Sequence, residues 1–176
     1  SGTLKLGIIP TLAPYLLHRF IRKFLNKYPN VKLEVQEMVT EEVVKRLKND
    51  ELDLGIIVTP LDEAGILEKP MFYEKFYAYF SKDHELLKNS EITPEQIKSD
   101  DLWILQQGHC FRDQVLGVCP ELSRFSQSSE GIQRTFEGSS LETIRHMVAS
   151  GVGITVLPSS SVPNPVPKES LLTYIP

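Results

Sequence analysis

The chain has 176 residues, of which 41% are hydrophobic and 24% charged, and its formal net charge is −4. This composition is typical of a soluble globular protein, and the acidic balance argues against direct binding to nucleic-acid phosphates, which requires a basic surface. No apolar run approaches the roughly 20 residues needed to cross a membrane. Two cysteines are too few for a secreted disulfide scaffold, so a disulfide here would be conditional rather than structural.

The first third of the chain alternates between strand and helix patterns. Apolar residues recur at every second position in the strand segments and at helical spacing between them. The order predicts a parallel sheet. The predicted elements are a strand at 4–8, a helix at 15–28 capped by Thr11, a strand at 31–36, a helix capped by Thr40, and a strand at 52–58 buried on both faces.

The remainder of the chain predicts a second group of strands and helices. We expect a long aromatic strand at 71–80, a short helix from Pro94, strands at 102–105, before Phe136 and at 153–157, and a helix capped by Ser139 or Ser140 that ends near Gly151. The tail after Pro158 has no clear pattern. The sequence therefore predicts an α/β, two-lobed, periplasmic-binding-protein-like fold, in which each lobe is a mostly parallel sheet flanked by helices. Lobe I is placed at 1–75 and lobe II at 76–176.

Two threonines lie just beyond predicted strands. Thr11 follows the first strand and Thr59 follows the third. Because ligands of open α/β sheets bind at the carboxyl ends of the strands, both side chains are candidates for the cleft between the lobes. The alternative for each is a helix cap or a turn residue.

The segment 107–120 holds both cysteines and predicts a short helix over 108–117, ended by Gly117 and Pro120. Cys110 then lies near the helix N-terminus, where the backbone dipole favours a thiolate. His109 and Arg112 add positive charge or hydrogen-bond donors nearby, whereas Asp113 opposes them. The thiolate is the form that attacks peroxide.

The spacing of Cys110 and Cys119 has a geometric consequence. Nine helical positions correspond to about 13.5 Å of rise and place the two thiols on opposite faces of the helix. A disulfide needs Cα atoms within roughly 7 Å of each other. The bond therefore requires the helix to unwind, which would make oxidation a two-state switch.

Inert burial is the alternative for both cysteines, because free cysteine is commonly a small core residue. The CxxC redox pattern and a four-ligand zinc site are both missing from the sequence, and no cofactor is expected. None of the other histidines has a recognisable ligand spacing: His18, His84 and His146.

The segment from Gly108 to Gln114, followed by Gly117-Val118-Cys119, closely resembles the sensor segment of peroxide-sensing LysR-type transcriptional regulators. Flanking segments fit as well: Thr11 to Leu17, Ser139 to Thr143, and Met147 to Thr155. The later segments are typical of LysR-type effector domains in general, and the resemblance covers nearly the whole chain.

The resemblance implies roles for individual residues. Cys110 would be the peroxide-reactive thiol and Cys119 the resolving thiol. His109 would position or activate Cys110, and Thr11 would hold peroxide beside it. The residues that would organise the loop are Arg112, Asp113 and Gln114.

The resemblance also implies partners. We expect a bacterial, cytoplasmic homodimer or homotetramer that contacts DNA only through an N-terminal winged helix-turn-helix domain, which would precede Ser1. Glutaredoxin or thioredoxin would reduce it, and RNA polymerase is a further candidate partner. No membrane partner is expected. The chain stops at Pro176, before the strand and helix by which family members return to lobe I, so we expect that lobe to lack them.

Two other functions remain open. The first is a LysR-type effector domain that binds a small metabolite in the cleft and has no redox switch, in which case replacing Cys110 by Ser would have no effect. The second is a thiol peroxidase, which would turn over repeatedly. A sensor reacts once per reduction cycle, so we do not expect an enzyme.

Overall fold

The computed structural model describes residues 2–97, 102–106, 108–119, 134–136, 140–162 and 172–175. The chain divides into two compact units, Ser1–Tyr73 and Glu74–Pro176. Among the helices of the described ranges, none has the length and apolar character needed to span a membrane.

Unit 1 is a three-stranded parallel sheet in the order β2-β1-β3. The central strand pairs Leu6 with Val35 on one side and with Leu54 on the other. Its parallel pairing and its alternation of strand and helix confirm the prediction for this part of the chain. Its elements are β1 (Gly2–Ile8), α1 (Ala13–Lys27), β2 (Val31–Glu37), α2 (Thr40–Lys48) and β3 (Leu54–Ile56).

Close packing of α2 against this sheet follows from a small residue. A Cβ atom added at Gly55 would lie 2.5 Å from Cγ1 of Val43, which is closer than real Cβ contacts. Val43 itself is fully buried. Glycine on β3 therefore lets a β-branched side chain of α2 rest directly on the strand backbone.

Three local predictions for unit 1 are wrong. Thr11 does not cap α1, because the helix begins at Ala13 after Leu12, and Thr11 is instead buried. Thr40 is the first residue of α2 rather than its cap. The third strand is short and not buried on both faces, since β3 covers only Leu54–Ile56 and Leu54 is 52% exposed.

Unit 2 combines antiparallel and parallel pairs. In one sheet β4 lies between β7 and β8 and is antiparallel to both, whereas β5 and β6 are parallel. Its elements are β4 (Phe76–Phe80), β5 (Trp103–Leu105), α3 (Cys110–Val118), β6 (Arg134–Phe136), α4 (Leu141–Ala149), β7 (Ile154–Pro158) and β8 (Leu172–Ile175), with 3-10 turns at Glu85–Lys88, Pro94–Gln96 and Ser159–Ser161.

The α/β class is confirmed, but the sheets of unit 2 are mixed rather than mostly parallel. Antiparallel pairing between β4 and two strands far along the chain leaves no mark in the local hydrophobic pattern. The tail strand β8 was not expected, and the expected long strand at 71–80 pairs only from Phe76 onward.

The helix α4 follows its predicted boundaries. Oγ of Ser140 accepts a hydrogen bond from the Thr143 amide, and Gly151 has the positive φ of 96° expected just after a helix. The other candidate cap, Ser139, lies outside the described residues. Strand β7 extends to Pro158, one residue beyond the predicted end.

Candidate functional site

The predicted cysteine helix exists as α3 and begins at Cys110. Gly108 has a φ of 99°, a left-handed conformation that glycine adopts without strain. This turn takes the chain from β5 into the helix, with His109 extended at the N-cap position. The prediction that Gly117 ends the helix is wrong, since α3 continues to Val118.

Cys110 and Cys119 have unequal access to solvent. Cys110 is partly exposed at the N-terminal end of α3, where the aligned peptide dipoles of a helix give partial positive charge. Cys119 lies just after the last helical residue, is 1% exposed, and donates its backbone N–H to the Val115 carbonyl at 3.2 Å. Only one of the two thiols is therefore open to a soluble oxidant.

The chemistry of Cys119 is set by burial. Removal from water, together with the negative charge of Glu95, raises the pKa of the Cys119 thiol from 9.0 to about 11. At neutral pH this side chain is a neutral thiol, which is the poorly nucleophilic form. Cys119 is therefore a weak nucleophile for as long as it remains in this position.

The two cysteines are not joined by a disulfide. Because one begins α3 and the other directly follows it, their Cα atoms are about 13.5 Å apart along the helix axis. That separation is about twice the limit for a disulfide. The helix must lose its conformation before the sulfur atoms can meet.

The inner face of α3 packs on the core of unit 2. Phe111 and Val115 line a cavity of about 10 Å³, roughly the space of one water molecule, together with residues of β5, α4 and β7. The Phe111 ring also meets Phe76 of β4 edge to face, with centroids 5.4 Å apart. Unwinding α3 exposes these side chains, each at a cost of about 1.5–3 kcal/mol if it is not reburied.

The residues beside Cys110 occupy different environments. His109 is buried, Asp113 is exposed, and Gln114 is partly buried. Arg112 is 3% exposed, and its Nη1 atom donates a hydrogen bond to the Leu105 carbonyl at 2.9 Å. Burial lowers the pKa of Arg112, and the nearby Asp113 carboxylate acts in the opposite direction.

The candidate residues divide between the two units. Thr11 and Thr59 belong to unit 1 and both follow strands, as expected: Thr11 is buried beyond β1, and Thr59 is exposed beyond β3. The candidates that the structure brings together are in unit 2, on or beside α3: His109, Cys110, Arg112, Asp113, Gln114 and Cys119. In the ranges that the structure describes, no group of three or more metal-ligating side chains is found.

Sequence reasoning missed two partners of this segment. Glu95 acts on Cys119, and the Leu105 carbonyl accepts from Arg112. Glu95 looked like an ordinary first-turn residue, and a backbone carbonyl leaves no signal in side-chain patterns. Only the fold brings them to the cysteine helix.

The sequence profile of the LysR substrate-binding domain matches residues 1–176. The chain belongs to this family. Its curated relatives are transcription regulators rather than enzymes. It is 33% identical over 163 residues to a hydrogen peroxide-inducible genes activator of Dickeya chrysanthemi, covering 93% of this chain and 52% of that protein. It is 32% identical over 176 residues to the DNA-binding transcriptional dual regulator OxyR of Escherichia coli K12, covering 100% of this chain and 55% of that protein.

Solved structures agree with this assignment. The reduced OxyR regulatory domain from Pseudomonas aeruginosa superposes with a TM-score of 0.86 at 38% identity, covering 100% of this chain and 83% of that one. Full-length OxyR from the same organism, carrying a cysteine-to-aspartate substitution, gives a TM-score of 0.85, with 99% and 59% coverage. The chain thus spans about half the length of the curated relatives it matches, and it is similar to OxyR regulatory domains along its whole length.

Proposed function

We propose that this domain senses hydrogen peroxide through a reversible disulfide between Cys110 and Cys119. The observation that carries the proposal is the asymmetry of two thiols at the ends of one helix. One is partly exposed at the helix N-terminus, and the other is buried with a raised pKa. The relatives named as hydrogen peroxide-inducible activators support the same function.

The proposed chemistry has two steps. The Cys110 thiolate attacks one oxygen of hydrogen peroxide, the O–O bond breaks, and the departing hydroxide takes up a proton to leave as water. Sulfur is thereby oxidised to sulfenic acid. Once α3 has unwound, the Cys119 sulfur attacks the Cys110 sulfur, the S–O bond breaks, and a second water leaves with the thiol proton. The two cysteines together have then lost two electrons, which have reduced one peroxide to two waters.

Other residues are assigned supporting roles. His109 directly precedes Cys110 and is proposed to position it. Thr11 is proposed to help hold the peroxide, and Thr59 is proposed as a ligand-facing residue at the carboxyl end of its strand. Asp113 and Gln114 are proposed to organise α3. We also propose that lobe I at 1–75 and lobe II at 76–176 act as the two halves of this sensor.

The function of the whole protein is proposed from its relatives. The sensor would act in the cytoplasm as a homodimer or homotetramer, and its rearrangement would alter how a separate helix-turn-helix domain binds DNA. A thiol reductant of the glutaredoxin or thioredoxin class would restore the dithiol, and RNA polymerase would be contacted at target promoters.

The test is mass spectrometry of the reduced chain after near-stoichiometric hydrogen peroxide, with remaining thiols alkylated before digestion. We expect a linked Cys110–Cys119 peptide that disappears on adding reductant. It should be missing in Cys110→Ser, and the matched variant Cys119→Ser should instead hold a sulfenic acid on Cys110 that dimedone traps. If both thiols of the wild-type chain stay fully alkylatable, the sensor function is wrong, and binding of a small metabolite becomes the function to test.

A further inference from the structure

Within the described ranges, Arg112 is the one buried side chain among all lysines, arginines, aspartates and glutamates. It stands in the first turn of α3, and Nη1 reaches the carbonyl of Leu105, the last residue of β5. A guanidinium loses favourable hydration when it is buried, so it is retained in the core only where hydrogen bonds compensate.

The two ends of this hydrogen bond belong to different parts of the switch. The ring closed by a Cys110–Cys119 disulfide comprises residues 110–119, so it contains Arg112 but not Leu105. Bringing the cysteine Cα atoms from about 13.5 Å to within roughly 7 Å forces the backbone of that ring out of the helical conformation. The hydrogen bond therefore ties a segment that must rearrange to a strand that does not need to.

We propose that Arg112 is a latch on the dithiol state: its hydrogen bond to Leu105 exists while α3 is helical and breaks when the disulfide forms. The latch rests on the proposed function, because it acts on the same disulfide. Arg112 takes no part in bond making or breaking. It is a positioning residue that sets how readily the dithiol is converted to the disulfide.

The latch predicts a shift in the redox equilibrium. An interaction present only in the dithiol form favours that form, so its removal moves the equilibrium toward the disulfide. A hydrogen bond to a charged group is strong enough to change the equilibrium constant between dithiol and disulfide about tenfold or more. For a two-electron couple, a tenfold change in this constant makes the reduction potential of the disulfide about 30 mV more negative.

The experiment equilibrates the full 176-residue chain with dithiothreitol redox buffers and quantifies the linked peptide after alkylation. We expect Arg112→Ala to favour the disulfide about tenfold relative to wild type. Arg112→Lys should shift the equilibrium toward the disulfide by only about threefold, because the lysine side chain is shorter but still carries a charged hydrogen-bond donor. The lysine variant also decides the question if the alanine variant does not fold.

A matched control separates the latch from general loss of stability. Val148 is fully buried on α4, outside both α3 and the lining of the cavity beneath it. Val148→Ala should destabilise unit 2 while leaving the disulfide equilibrium within twofold of wild type. Equal constants for wild type and both Arg112 variants would overturn the latch and leave the sensor function standing. An equal shift in Val148→Ala would also overturn it. A wild-type chain that forms no disulfide at all would overturn both proposals.

Discussion

The two ends of α3 carry one thiol each and are built differently. At the first turn, Cys110 is partly exposed, and the Arg112 side chain donates a hydrogen bond to the Leu105 carbonyl of β5. At the last turn, Cys119 is buried beside an exposed helical glycine, Gly117, and is held there by one backbone hydrogen bond to Val115. The first end leaves Cys110 partly exposed, and the second buries Cys119 just after a helical glycine.

For the proposed redox switch, this difference assigns two requirements to opposite ends of α3. Reaction with a soluble oxidant needs access, which the first end supplies. Delay of the second step until the helix has opened needs a buried, protonated thiol, which the second end supplies. Neither cysteine meets both requirements, so in the proposed switch the two sulfur atoms meet only after the helix between them has opened.

The largest effect expected from this asymmetry concerns alkylation of Cys119. Because burial raises the pKa of this thiol from 9.0 to about 11, its thiolate fraction at pH 8 falls about 100-fold. In Cys110→Ser, which leaves a single thiol, iodoacetamide should modify the folded chain about 100-fold more slowly than the chain in urea. Protection of less than tenfold would mean that Cys119 is accessible, and the contrast between the two ends would fail.

Stability at alkaline pH should reveal the same burial. The folded pKa of Cys119 lies above its unfolded value, so the unfolded chain releases the thiol proton first as pH rises. This contribution to the free energy of unfolding is intact below pH 9 and is lost progressively between pH 9 and about 11. Urea titrations at each pH give the free energies of unfolding of wild type and Cys119→Ser. The difference between the two should decline across this window. A constant difference would contradict the assignment.

A smaller effect is expected when the second end of α3 is reinforced. A Cβ added at Gly117 meets no atom within 4 Å, so Gly117→Ala should stabilise helical α3 by about 1 kcal/mol. Because the disulfide requires unwinding, its equilibrium constant should fall about fivefold, opposite in sign to the Arg112 variants. The redox-buffer assay measures this directly. Gly2→Ala, in open space on β1, is the control that should leave the constant unchanged.

Much of the architecture could be read from local pattern. Alternation in 31–36 predicted β2, Ser140 and Gly151 predicted the limits of α4, and the cysteine helix was predicted with its start two residues too early. These features depend on periodicity, caps and glycine conformation, all of which act over a few residues. Predictions that depended on elements distant in the sequence were less accurate. The burial of β3 depended on which elements cover its faces, and the antiparallel pairs of β4 depended on segments far along the chain.

The sequence by itself determined that the two cysteines lie at opposite ends of one helical segment and that their spacing forbids a disulfide while the helix is intact, because helical rise and rotation per residue are fixed by the backbone. Tertiary structure decided which thiol is hidden, that Glu95 adds to the raised pKa of Cys119, and that Arg112 donates to Leu105. Burial, electrostatic fields and hydrogen bonds to a neighbouring strand depend on packing in three dimensions, so no local pattern contains them.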